Sequence, residues 1–180
     1  MEENTVLLVI ASNGFQQIEY NTPKSMLCDA GFNVITASDK SGIATAKDGS
    51  TTHVDITLDK VIVNDYAGIF FIGGPGAEEC LDNNTSYTII QDAFHQHIPI
   101  GAICIATRIL AKAGILDGKY ATGWNEDGLL EDIFAENRAT YLPTEKVVVD
   151  SHIITATDPG AAQEFGTRII ELLHSKQRWG

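Results

Sequence analysis

The chain alternates short, wholly apolar runs with stretches of helical spacing. Thr5-Val6-Leu7-Leu8-Val9-Ile10-Ala11 is a continuous β-branched and leucine run, the pattern of a central parallel strand buried on both faces. Ser12-Asn13-Gly14 turns the chain, and Phe15 to Tyr20 reads as a helical turn. Thr22 then stands as an N-cap before Pro23 at the first helical position, and the helix runs through Met26 and Leu27 to Ala30, stopped by Gly31. Asn33 to Ser38 is the second strand. Between Asp39 and Asp65 the period drops to two. Behind a hairpin turn at Lys47-Asp48-Gly49-Ser50, residues Thr52, Val54, Ile56 and Leu58 alternate with His53, Asp55 and Thr57. This is a β-excursion with one solvated face.

Gly68-Ile69-Phe70-Phe71-Ile72 is again apolar throughout and ends in Gly73-Gly74-Pro75-Gly76. Asn84 to Gln96 carries Ile89, Ile90, Ala93 and Phe94 at helical spacing, with a cap at Asn84 or Thr85. From Ile98 a short buried strand runs straight into a helix, with Cys104 at the junction. Ile105, Ile109, Leu110 and Ala113 hold the helical period, and Gly114 suits the left-handed position past the helix end. Lys119 to Thr122 reads as a short strand, Leu129 to Phe134 as a short helix, and Val147 to Thr155 as two strands around a tight turn. Pro159-Gly160 precedes a final helix containing Phe165, Ile169, Ile170, Leu172 and Leu173, followed by a loosely held polar tail from Ser175 to Gly180.

Strands alternating with helices imply right-handed crossovers and an α/β sandwich, a mostly parallel sheet with helices on both faces. At 180 residues, 44% hydrophobic and 20% charged, residues 1–180 are expected to form a single domain with a sizeable core. The formal net charge of −12 argues against nucleic acid and against anionic membrane surfaces as partners. The N-terminus lacks a basic region, and its apolar run is too short for a signal-peptide core or a membrane span. Cys28, Cys80 and Cys104 have no metal-ligand spacing and are expected as reduced thiols in the cytoplasm.

In parallel sheets ligands gather at the carboxyl ends of the strands. Three strands here end suggestively: at Ser12-Asn13-Gly14 with Glu19 beyond, at Gly73-Gly74-Pro75-Gly76, and at Cys104. A thiol at a sharp strand-to-helix turn is pushed out of the sheet edge, as in a nucleophile elbow, beside helix N–H groups that favour thiolate. A packed core cysteine is the competing reading. The amides of Gly73, Gly74 and Ile105 can stabilise an oxyanion there. Neither a dinucleotide-binding nor a Walker spacing is present, so no cofactor is expected. His95 and His97, two apart, diverge on a helix and do not share a metal, so no metal is expected either. His53 and His152 are unplaced candidates for the pocket. Cys28, beside Leu27, reads as core. Cys80 follows Glu78 and Glu79, whose charges discourage a thiolate, and Asp82-Asn83-Asn84 and Glu126-Asp127 read as solvated caps.

Gly14-Phe15, Glu19, Pro23, Leu27, Ala30-Gly31 and Val34 resemble the opening signature of the ThiJ/PfpI superfamily, which is class I glutamine amidotransferase-like. The likeness continues through Gly73 to Gly76, Ala102-Ile103-Cys104, Leu110 to Lys119, Thr155, Pro159-Gly160 and Glu164-Phe165, nearly the whole chain in order. The resemblance implies a flavodoxin-like three-layer sandwich and a homodimer. It implies Cys104 as the reactive cysteine, Glu19 as the acid touching its sulfur, and Gly74 as the oxyanion-hole glycine. An ionised Glu19 would repel a thiolate, so activation through a thiolate requires a protonated Glu19 that donates to sulfur.

Departures narrow the reading. Protease-like members have histidine directly after the cysteine; here Ile105 stands there, so a neighbouring Cys–His base is missing and proteolysis is disfavoured. Isocyanide hydratases pair the cysteine with a following threonine and an aspartate, which Ile105 and Glu19 do not match. Where deglycase relatives carry histidine after the Thr122 strand, the nearest match is Trp124, an aromatic wall without a proton to shuttle; Thr157 stands where they tend to have arginine. The reading is a cysteine-dependent enzyme for small reactive carbonyls or their adducts, glyoxalase- or deglycase-like. The alternatives are a non-catalytic redox sensor or protective chaperone with an oxidisable Cys104, and a pocket that only binds a metabolite.

Overall fold

The computed structural model describes residues 4–179 of the chain, with side chains as far as Ser175. In chain order the strands are β1 (Thr5–Ile10), β2 (Asn13–Phe15), β3 (Asn33–Ser38), β4 (Gly42–Ala46), β5 (Thr51–Val54), β6 (Ile56–Thr57), β7 (Gly68–Phe71), β8 (Ile100–Ile103), β9 (Tyr120–Ala121), β10 (Thr140–Tyr141), β11 (Val147–Asp150) and β12 (Ile153–Ala156). The helices are α1 (Gln17–Asp29), α2 (Ala77–Leu81), α3 (Asn84–His95), α4 (Thr107–Lys112), α5 (Leu130–Glu136) and α6 (Ala162–Trp179). Among the described residues no helix is long and apolar enough to cross a membrane.

The central sheet has seven strands in the order β11-β12-β8-β7-β1-β3-β6. Every neighbouring pair is parallel except β11 with β12, the hairpin expected around residues 150–153. Helices cover both faces, giving a flavodoxin-like sandwich. The apolar runs behave as a two-sided burial demands: Val6 through Ala11 and Ile69 through Ile72 are fully buried. Phe165 on α6 meets Phe70 on β7 edge to face, with ring centroids 6.1 Å apart.

Of the β-excursion, β4 and β5 join β2 in a separate three-stranded sheet, with the turn after Ala46 as expected, while Ile56–Thr57 pairs instead with β3 at the edge of the central sheet. Several elements differ from the expectation. Asn13-Gly14-Phe15 is a short strand parallel to β4 rather than a simple turn. The first helix begins at Gln17, not at Pro23; Gln16 is its cap, accepting from the Ile18 N–H at 2.9 Å, while the Gln16 N–H donates to Gly73 O at 2.9 Å. That tertiary anchor starts the helix early, so Pro23 falls inside it and removes the N–H that would bond the Glu19 carbonyl. The cap of α3 is Asn83, one residue before the expected pair. The strand at Tyr120–Ala121 pairs only with Thr140–Tyr141, outside the central sheet. Helix α6 continues through Ser175 to Trp179, in place of a loose tail; Gly180 lies outside the described residues.

Candidate functional site

Strand β8 ends at Ile103, and the chain then makes one 3-10 turn over Cys104–Ala106 before α4 begins. Cys104 pays for this sharp reversal with a left-handed backbone, φ +63°, a conformation that costs an L-residue roughly 1–3 kcal/mol and persists only when its surroundings impose it. Thr107 Oγ1 donates to the Cys104 carbonyl at 2.9 Å and holds the turn. The sulfur is thereby presented at the carboxyl edge of the sheet, half-buried, as a strand-to-helix elbow predicts.

The backbone N–H groups of Gly74 and Ile105 lie beside this sulfur and favour its charged form. Gly74 adopts φ +112°, and a side chain there would come within 2.4 Å of Gln16 N and 2.5 Å of Gly14 O. At Gly73 a Cβ would lie 2.7 Å from both Cys104 Cβ and Glu19 Oε2 and 2.8 Å from Ile103 O. Both positions are close backbone approaches that only glycine allows. The Gly76 N–H donates to Gly14 O at 3.1 Å, and a Cβ on Gly76 would sit 1.7 Å from Asn13 O. The turn after β7 and the segment after β1 are therefore interlocked.

Glu19, on the first turn of α1, is fully buried. Its Oε2 accepts from the Gly73 N–H at 3.0 Å, while Oε1 has no hydrogen-bond partner among the described residues. Burial pushes the Glu19 carboxyl up from 4.5 to about 7, against the opposing pull of the neighbouring Cys104 thiol and of the Gly73 N–H. Burial also pushes the Cys104 thiol up, and the charge of Glu19 pushes it further, more than the N–H groups of Ile105 and Gly74 hold it down.

This corrects the expectation of a thiolate made by a helix mouth. Only a 3-10 turn and the six residues of α4 follow the sulfur, so the helical field is short and desolvation prevails. Cys104 and Glu19 form a coupled pair, in which an ionised Glu19 raises the thiol's cost of ionising.

The pair opens into a cavity of about 590 Å³ lined by Gln16, Lys47, Pro75, Ile105, Trp124 and Asp158 among others. Trp124 forms part of its wall. No histidine lines it. His53 pairs with Asp55 on the surface of β5, and His152 stacks on Phe94 at the opposite end of the sheet. Among the described residues no group of three His, Cys, Asp or Glu side chains is arranged to hold a metal ion.

Three further readings need correction. Cys28 is exposed, not core: α1 turns Glu19, Tyr20, Pro23 and Leu27 inward, which rotates the residue after Leu27 outward. Asp82 is no simple cap but pairs with Lys112 and accepts from Tyr87 Oη. Glu126 and Asp127 are more than solvated caps, since both line the cavity.

Asp127 also accepts from Arg108 Nη2 at 2.7 Å. Arg108, 2% exposed, reaches Glu78 at 3.4 Å and lies 5.3 Å from the Trp124 ring, so one buried cation ties both walls of the cavity together. Its role was missed in the sequence, where the only signal is a charge set within the apolar run after Cys104.

The chain can be compared with known proteins on these residues and this fold. The DJ-1/PfpI family model matches residues 4–172. The deglycase PfpI of Pyrococcus furiosus is 28% identical over 167 residues, covering 93% of this chain and 98% of its own length. An uncharacterised protein of Methanocaldococcus jannaschii is 30% identical over 174 residues, 96% of this chain and 84% of the relative. The crystal structure of a ThiJ/PfpI domain protein from Brachyspira murdochii superposes with a TM-score of 0.90 at 25% identity, covering 96% and 97% of the two chains. The oxidised DJ-1 of Toxoplasma gondii gives 0.82 at 28% identity, covering 96% and 92%. A family model matched along nearly the whole chain, on the fold that presents Cys104 and Glu19 together, makes this chain a member of the DJ-1/PfpI family.

Proposed function

We propose that the protein is a cysteine-dependent enzyme acting on small reactive carbonyls or their adducts, of the glyoxalase or deglycase type. The observation that carries this reading is the Cys104–Glu19 pair at the floor of an open cavity, with two backbone N–H groups beside the sulfur. Relatives named deglycase, 27–28% identical to this chain, support the same class.

A carboxyl near 7 is matched to proton transfer at neutral pH. The Glu19 carboxylate takes the Cys104 proton as sulfur adds to an aldehyde carbon, and the Gly74 and Ile105 amides hold the oxyanion that forms. Protonated Glu19 returns its proton to the bound oxygen, and the C1 hydrogen moves to C2 as a proton through an enediol. Water then hydrolyses the resulting thioester, breaking the S–C bond and freeing Cys104. With methylglyoxal the balance is addition of one water, giving lactate and a proton; the aldehyde carbon is oxidised while the ketone carbon is reduced, so no external redox partner is needed. Lactate formed from methylglyoxal by wild type and by Cys104→Ala tests the reading. It stands if the variant loses the activity and falls if the two rates are equal.

The same donors favour a second reading, a redox sensor. A Cys104 sulfinate would accept from the Gly74 and Ile105 amides and from protonated Glu19. Intact-mass spectra after mild peroxide would show two oxygens added at Cys104; preferential oxidation of Cys28 or Cys80 counts against it.

A further inference from the structure

The walls of the Cys104 cavity carry an uneven set of charges. Glu78, Glu126, Asp127 and Asp158 line it with Glu19, and Lys47 is the one cation in the lining among the described residues. Arg108 offsets two of these carboxylates, which leaves Glu126 and Asp158, with Glu19, against Lys47. The arginine is buried behind the wall and already bridges Asp127 at 2.7 Å and Glu78 at 3.4 Å. The formal charge of the whole chain, −12, gives the surroundings the same sign. A concave site with an excess of one sign concentrates its own field, so these carboxylates act on a ligand before it touches them. That the space receives a ligand is indicated separately by Glu19 Oε1, fully buried and without an N–H or hydroxyl donor.

We infer that the Cys104 cavity selects uncharged or cation-bearing carbonyl compounds, amine adducts among them, and turns away carboxylates and phosphate esters. The inference rests on Cys104 as the nucleophile and adds the charge of what reaches it. It also gives the reaction a direction of traffic. Water added to an uncharged 2-oxoaldehyde yields a 2-hydroxy acid, an anion at neutral pH, so the field that tolerates the substrate repels the product.

Three methanethiosulfonates test this without any assumed substrate: the cationic trimethylammonium-ethyl reagent, the uncharged methyl reagent and the anionic sulfonatoethyl reagent. Labelling of Cys104 in the wild-type chain is followed by peptide mass spectrometry, which separates it from Cys28 and Cys80. Each rate is divided by that of mercaptoethanol. The expected order is cation, neutral, anion, with cation and anion about tenfold or more apart in about 10 mM salt and converging in about 1 M salt. Glu126→Gln with Asp158→Asn should narrow the gap. Equal normalised rates, or an anion that reacts fastest, overturn the inference and leave the nucleophile reading standing. Failure of all three reagents at Cys104 overturns both.

Discussion

The two ends of the central sheet make an instructive pair. At the carboxyl end the backbone is forced left-handed at Cys104, φ +63°, and at the amino end it is forced left-handed at His97, φ +54°. Both ends hold side chains capable of chemistry. At the amino end these are consumed by one another. His152 stacks on Phe94 with centroids 5.2 Å apart, its Nε2 lies 3.1 Å from the Phe94 carbonyl, and His97 packs edge-on at 5.3 Å. At the carboxyl end the sulfur, two amides and an acid converge on a cavity. A strained residue marks a site only when its neighbours leave polar capacity directed at open space.

The largest way to break this contrast is Gly73→Ala. The added methyl meets Cys104, Glu19 and the Ile103 carbonyl at once, two of them unable to swing aside. Lactate formation should fall about 100-fold or more, and urea unfolding should show about 1–3 kcal/mol lost.

Glu19→Gln comes next. It keeps the shape and removes the base, so kcat/KM should drop by roughly 10² with little loss of fold. The wild-type rate should rise with pH through about 7, and that limb should vanish in the variant. Stability carries the opposite sign. A buried carboxyl raised from 4.5 to about 7 favours the folded state fully below 4.5 and loses that contribution as pH rises through about 7. The loss is on the order of 3 kcal/mol. Urea titrations at both ends of this window should give a wild-type decline that Glu19→Gln lacks.

Arg108→Met is smaller and sharpens the comparison, because it frees the Trp124 wall without touching the pair. KM should rise roughly tenfold while kcat changes little. Acrylamide quenching of Trp124, read in a Trp179→Phe background, should increase. His152→Ala has the smallest effect: about 1 kcal/mol of stability from the lost stacking, with lactate formation unchanged.

What could be read from the residues alone follows from how local each cause is. The runs at Thr5–Ile10 and Gly68–Phe71 declare their two-sided burial by composition, and the Val147–Asp150 and Ile153–Ala156 hairpin by its spacing. The start of α1 was not legible, because the anchor is a bond from Gln16 to Gly73, in a distant turn. Cys104 was legible as an elbow. Its partnership with Glu19 came only through the family resemblance, since no periodicity links positions so far apart. The upward push on the thiol is illegible for a similar reason: the burial that causes it is a property of the packed molecule. Arg108, on α4, and Asp127, in the loop before α5, carry no shared motif.

The interlocked turns at Asn13 to Gln16 and Gly73 to Gly76 have a consequence for how this chemistry can change. The acid and its donor loop are fastened to a common joint, so neither can be retuned alone. Trp124 and Asp127 lean on the Arg108 guanidinium, with one backbone N–H bond each besides, and are freer to vary. New substrates would be acquired by rebuilding that movable side, while the joint keeps the reacting atoms where they are.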